Sequence, residues 1–232
     1  MTGTAPDWWR RPRRICALVD NDSWILPHAE RLVAAVRADG DECVLARRAD
    51  DVPRGEVAFL LGCVHIVPPD VLARNRLTLV VHESALPRGR GFAPMTWAVL
   101  DGADRIPVSL IEAAEAADEG DVFATTEIVL DGTELCDALR AAQGAATVEI
   151  CLDVLRRPAP PVGRPQTGTP SWHPRRRPAD SRLDPHATLA AQFDLLRVVD
   201  NERYPAFFEH RGRRYRLAIH DDGPAQKADH AP

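Results

Sequence analysis

His82 ends the run TLVVH and is followed at once by E-S-A-L-P-R-G-R-G, so an imidazole stands where buried-looking residues give way to proline, glycine and arginine. Histidine gains and loses a proton near neutrality, with an unperturbed pKa of about 6.5, and suits general acid or base work. Further along, Asp118 lies in ADEGD, a sequence with good turn chemistry. Brought together, the two groups would take a proton from an attacking nucleophile and stabilise the imidazolium that results. Ser84 beside His82 invites a hydrolase reading, but no G-x-S-x-G elbow occurs in the chain, and a serine nucleophile is not expected. Glu83, by strand alternation, points away from the face of His82 and reads as a surface or loop-pairing residue.

The elements that must hold these groups are legible from periodicity. RICALVD reads as a strand; SWILPHAERLVAAVRADG carries Leu26, Ala29, Leu32, Val33 and Val36 at helical spacing, with Gly40 as its stop. ECVLARR, EVAFLLG and TLVVHE are further strands, and PPDVLARNR opens a short helix. This alternation predicts an α/β fold, a Rossmann-like and mostly parallel sheet flanked by helices. Ligands of such sheets bind beyond the carboxyl ends of the strands, where His82 and the loop Asp20-Asn21-Asp22-Ser23-Trp24 fall. After Gly91, APMTWAVLDG reads as a short helix and RIPVSLIEAAE and DVFATTEIVLDG as strands. Thr133 is expected to cap a long helix with an apolar stripe through Leu135, Leu139 and Ile150. The chain thus divides into a catalytic domain over 1–157, a proline-rich linker over 158–170, a small helix-plus-hairpin region over 171–220 and a disordered tail over 221–232.

Composition narrows the function. The 232 residues include five cysteines without a C-x-x-C pair or zinc-type spacing, so reduced thiols, a cytoplasmic location and no metal are expected. No signal-peptide core or membrane-length apolar run is present. A formal net charge of -5 argues against a nucleic-acid partner, although Arg10 to Arg14 and His173 to Arg177 form basic islands suited to small anions. For HPRRRP, solvated charge is the commoner explanation.

HESALPRGRGFAPMTWAVLDG, followed by IPVSLIEAAEAADEGDVF, resembles the 10-formyltetrahydrofolate-dependent formyltransferases, most of all the sugar N-formyltransferases, with a catalytic half also similar to methionyl-tRNA formyltransferases. The family pattern N-x-H-x-S-x-L-P-x-x-R-G-x-x-P is met by His82, Ser84, Leu86, Pro87, Arg90, Gly91 and Pro94; D-x-G-D-hydrophobic is met by Asp118, Gly120, Asp121 and Val122. The likeness covers roughly Arg14 to Ile150. One position departs: the family's asparagine, whose amide helps hold the formyl oxygen, is Val80 here.

The resemblance implies N10-formyltetrahydrofolate as co-substrate, His82 as general base and Asp118 as its orienting partner. It places the folate along His65, Ile66 and Val67, with Arg90, Glu115, Ala116 and Ala117 completing that pocket. The acceptor would meet Asp20, Asn21, Ser23 and Trp24; Trp97 is a weaker candidate, since a tryptophan on a short helix is more often core. The short segment after the proline-rich stretch is not strongly basic, which disfavours a tRNA acceptor, and Gly120-Asp121 departs from the Gly-Pro of glycinamide ribonucleotide formyltransferase. The expected partner is a nucleotide-linked 4-amino-4,6-dideoxysugar, with a homodimer allowed. Another small amine, or a catalytically inactive folate- or nucleotide-sugar-binding protein, are the alternatives.

Overall fold

The computed structural model describes residues 5–114 and 116–224. Glu115, expected on the folate wall, and residues 225–232 of the expected tail lie outside them. A six-stranded sheet organises the chain: β1 (Arg14–Leu18), β2 (Glu42–Ala46), β3 (Gly55–Leu60), β4 (Asn75–His82), β6 (Arg105–Glu112) and β7 (Val122–Val129), in the order β2-β1-β3-β4-β6-β7. The first four run parallel, whereas β4–β6 and β6–β7 are antiparallel, so the expected mostly parallel sheet is present with an antiparallel edge. In β1 and β3 successive side chains feed two cores. Ile15, Ala17, Val57 and Phe59 face one; Cys16, Leu18, Ala58 and Leu60 face the other. A sheet covered on both faces needs apolar residues at every position, which is why these strands are continuous hydrophobic runs. Burying a side chain such as Phe59 or Leu18 contributes about 1.5–3 kcal/mol.

Helix α1 (Leu26–Ala38) buries Ala29, Leu32, Val33 and Val36, the stripe read from sequence, and Gly40 behind it takes φ 91°. Helix α2 (Pro69–Leu72) is a single turn, and β5 (Arg90–Gly91) is a two-residue strand before α3 (Pro94–Leu100). Helix α4 (Cys136–Arg156) packs against α1, close enough that a Cβ on Gly144 would overlap the His28 ring. Thr133 is not its cap. The N-cap is Leu135, while Thr133 Oγ1 donates to Asp131 Oδ1 at 2.6 Å and Glu134 accepts the N–H groups of Asp131 and Gly132. These local bonds use up the polar groups that capping would need.

Two segments depart from their sequence readings. Within the basic island Arg10–Arg14, Arg13 is 1% exposed; its Nη2 donates to Asp41 Oδ2 at 2.6 Å and to Leu155 O at 2.7 Å, and its guanidinium lies over Trp9. This arginine serves the core rather than an anion. Residues 158–170, expected as a linker, cross the sheet edge: Arg164 and Val122 exchange two backbone hydrogen bonds, and Gln166 Nε2 donates to Asp118 O and Gly120 O, each at 2.8 Å. Beyond this strap, β8 (Trp172–His173) pairs with β5, and α5 (Phe193–Val198) and the hairpin β9 (Ala206–His210)–β10 (Arg213–Leu217) enclose a small core of Leu183, Leu196, Val199 and Ala206. The hairpin turns at Arg211 and Gly212 as read. All five cysteines are free, and among the described residues no helix is long and apolar enough to cross a membrane.

Removing one partner of a buried ion pair strands the other charge. Asp41→Ala is therefore expected to cost about 3–5 kcal/mol, read as a lower urea midpoint with an unchanged slope.

Candidate active site

Strand β4 ends at His82 in the middle of the sheet, between a parallel neighbour and an antiparallel one, with His82 in register with Ser109. The chain then turns back within seven residues, so that the ring Nε2 lies 2.8 Å from Gly89 O. A carbonyl only accepts, so Nε2 carries the proton of this bond. The other nitrogen, Nδ1, is 3.5 Å from Asp118 Oδ1. The two groups that the sequence paired across the chain are thus together, with side chains 7% and 15% exposed.

Asp118 is held in place from several sides. Its Oδ2 accepts the Gly91 N–H at 2.8 Å, and its backbone carbonyl accepts from Gln166. Its φ of 59° lies in the left-handed region, a conformation an aspartate tolerates better than most residues when its surroundings fix it. Gly91, at φ 99°, has no room for a side chain, since a Cβ there would run into His173 O across the β5–β8 pair.

These groups open onto a cavity of about 860 Å³. One wall is the loop after β3, with Val64, His65, Ile66 and Val67, facing Ala113, Ala114 and Ala117. The centre holds Val80, His82, Glu83 and Asp118. Another wall comes from α4, where Cys136, Arg140, Gln143 and Thr147 recur at helical spacing, and from Arg175, Arg176, Arg177, Asp200 and Tyr204 of the C-terminal region, with Trp24 also in the lining.

The sequence-read residues separate accordingly. His65, Ile66, Val67, Ala117 and Trp24 line the cavity; Ala116, Arg90, Asp20, Asn21, Ser23 and Trp97 do not. Arg90 instead pairs with Glu119 at 2.6 Å and donates to Gln166 Oε1, bracing the turn that carries Asp118. Asp20 accepts the N–H groups of Val64 and His65 and meets the His65 ring at 2.9 Å, and Asn21 donates to Gly62 O, so both shape the loop rather than face a ligand. Burial would raise Asp20, but the Asn21, Val64 and His65 donors outweigh it and hold the carboxyl below its usual range. Trp97 donates to Pro174 O and stacks on His173 at 5.6 Å, fastening the C-terminal segment over the site.

Sequence reasoning misplaced Glu83. It is 9% exposed and stands in the cavity wall. Burial pushes its carboxyl up, against the opposing pull of the Gln143 amide and the His82 ring. The side of the sheet away from His82 is covered by α4, not by water, so alternation led to a second buried side. The arginines of HPRRRP were likewise set down as solvated. Arg176 is instead drawn in, its Nη2 donating to Asp180 O while Nε has no partner, and burial lowers its pKa. Arg140 donates to Asp200 Oδ2 at 2.7 Å; burial would raise Asp200, but Arg203, Arg140 and Glu202 together hold it below its usual range. Burial pushes the Cys63 thiol up to about 12 and that of Cys136 upward, so neither offers a thiolate near neutrality. Ser84 Oγ is buried without a partner and outside the cavity lining. Among the described residues, no group of three or more His, Cys, Asp or Glu is placed to hold a metal ion.

Residues 46–155 match the formyl transferase family. A methionyl-tRNA formyltransferase of Rhizorhabdus wittichii is 34% identical over 178 residues, 73% of this chain and 56% of the relative. The chain spans about half the length of this and several other curated relatives that it matches. Among solved structures, HypX from Aquifex aeolicus in complex with tetrahydrofolic acid superposes with a TM-score of 0.70 at 19% identity, over 88% of this chain and 37% of that one. A 4-N formyltransferase from Francisella tularensis superposes with a TM-score of 0.64 at 14% identity, over 90% and 98%. Both likenesses establish the fold.

A carboxyl raised by burial stabilises the fold while protonated, and that contribution is lost as pH rises through its folded-state pKa. Glu83→Gln keeps the shape without the ionisation. Thermal melts should show the variant close to the unaltered chain at acidic pH and increasingly more stable than it as the pH is raised.

Proposed function

We propose, on the premise that this chain belongs to the formyl transferase family, that it transfers the formyl group of N10-formyltetrahydrofolate to the amino group of a nucleotide-linked 4-amino-4,6-dideoxysugar. The observation that carries the reading is one cavity running from the His82–Asp118 pair to the arginines Arg140, Arg175, Arg176 and Arg177. The folate stands along Val64 to Val67, with Ala113, Ala114 and Ala117 also lining that part of the cavity. Small side chains there leave room for a flat ring. At the far end, guanidinium groups suit phosphate oxygens, and Trp24 and Tyr204 offer faces to a base or sugar ring.

Formyl transfer requires a held angle of attack, a donor for the developing oxyanion and an acceptor for the amine's proton. His82 and Asp118 stand at the reacting centre. The amide that the family places two residues before the histidine is missing: Val80 stands there and packs against the α2-side core. The Nε2–H of His82 is the nearest replacement, and turning it from Gly89 O to the formyl oxygen exchanges one carbonyl-type acceptor for another. The family resemblance would also give His82 the amine's proton. Nε2 is hydrogen-bonded to Gly89 O and Nδ1 lies 3.5 Å from Asp118 Oδ1, so that role requires the ring to leave one of these partners.

A tRNA acceptor is the second reading, favoured by the methionyl-tRNA formyltransferases among the relatives. Incubation with N10-formyltetrahydrofolate and, in separate arms, a panel of nucleotide-linked amino sugars and aminoacylated initiator tRNA separates the two by which acceptor gains the mass of one carbonyl. Gain in the sugar arm is expected; gain in the tRNA arm alone replaces the acceptor, and no gain in either refutes formyl transfer. His82→Asn should lower kcat by roughly 10²–10⁴-fold. Arg176→Ala should raise the KM for the nucleotide sugar by roughly 10- to 100-fold while leaving that for folate unchanged.

A further inference from the structure

We propose that Glu83 is the group that receives the proton of the attacking amine. The assignment rests on the formyl-transfer reading and goes beyond it in naming a base that the family pattern lacks. Among the described residues, four carboxylates line the cavity, and three are accounted for. Asp118 accepts from Gly91 and faces His82, Asp200 is bonded to Arg140 and to backbone N–H groups, and Glu112 is exposed. Of these four, Glu83 alone is buried with no arginine or lysine ion pair among the described residues. It follows His82 directly, on the side of the sheet where α4 presents Gln143. That is the side on which Arg140 lines the same cavity, so an acceptor anchored there brings its amine past Glu83 to reach the formyl carbon. His82 Nε2 is already hydrogen-bonded to Gly89 O, and Nδ1 lies 3.5 Å from Asp118 Oδ1.

The step balances without another reactant. The amine lone pair forms the new N–C bond as the carbonyl π pair moves onto oxygen, and the nitrogen's proton passes to a Glu83 carboxylate oxygen. On collapse the C=O bond re-forms, the C–N10 bond breaks, and Glu83 returns the proton to N10. The products are the formamide and tetrahydrofolate, and the carboxylate is regenerated. Desolvation makes this carboxylate a stronger base than one in water. The charged and titratable groups that act on it are His82 on β4 and Asp118 before β7; Cys136 and Arg140 on α4, His65 and Glu112, and His173, Arg175, Arg176, Arg177, Asp200 and Tyr204 of the C-terminal region line the same cavity.

The test follows tetrahydrofolate release from N10-formyltetrahydrofolate with each amino sugar of the panel, comparing the unaltered chain, Glu83→Gln and Glu83→Asp. Glu83→Gln should lower kcat by roughly 10²–10⁴-fold with little change in KM, and should abolish the acidic limb of the kcat–pH profile; Glu83→Asp should restore part of the rate. Folate binding, followed by fluorescence quenching, should be the same in all three, which separates a lost base from a lost fold. Near-normal kcat in Glu83→Gln, or an acidic limb that persists in it, overturns the assignment while leaving formyl transfer standing. Absence of turnover by the unaltered chain overturns formyl transfer and this assignment together.

Discussion

His82 is pinned between a backbone carbonyl seven residues ahead and a carboxylate much further along the chain, and every other part of the site takes its position from that clamp. The first contact needs a loop that returns quickly, which Gly89 at φ 73° allows. The second needs Asp118 in a left-handed turn, and that turn is secured by Gly91, Gln166 and the Arg90–Glu119 pair. Arg90, Asp20, Asn21 and Trp97, which resemble ligand contacts in sequence, here brace the loops and segments that line the cavity.

The cavity has an electrical gradient. Near the alanines and the loop after β3 its charged side chains are the carboxylates Glu112 and Asp118, while near α4 and the C-terminal segment it gathers guanidinium groups. Glu83 and the His82–Asp118 pair lie between, where burial strengthens interactions that water would screen. A substrate with phosphate at one end and an amine at the other is oriented by such a gradient before any specific bond forms.

Strands and helices were legible because hydrophobic period fixes which side a residue faces: α1, the sheet strands and the final hairpin fall where that period puts them. The His82–Asp118 pair was legible through spacing within a motif. What escaped was whatever depended on the second layer. Glu83 was sent to the surface because alternation gives a side and not what covers it. Thr133 was given a capping role that Glu134 and Asp131 displaced, and Arg13 was read as a free cation when Asp41 awaited it in the fold. The proline-rich stretch reads as unstructured because proline lacks an N–H, yet Arg164 and Gln166 within it donate where they are needed. On α4 the apolar stripe was read from the sequence, but the polar residues Cys136, Arg140, Gln143 and Thr147 that line the cavity beside it were not.

The pairing of β5 with β8 joins residues 90–91 to residues 172–173, and the cavity is walled in part by residues as late as Tyr204. Emerging from the ribosome, the sheet and its histidine would be complete well before the strap and the arginines arrive to roof them. The order of synthesis is therefore scaffold first and pocket last: His82 and Asp118 are made before the residues from 172 to 204 that complete the cavity wall.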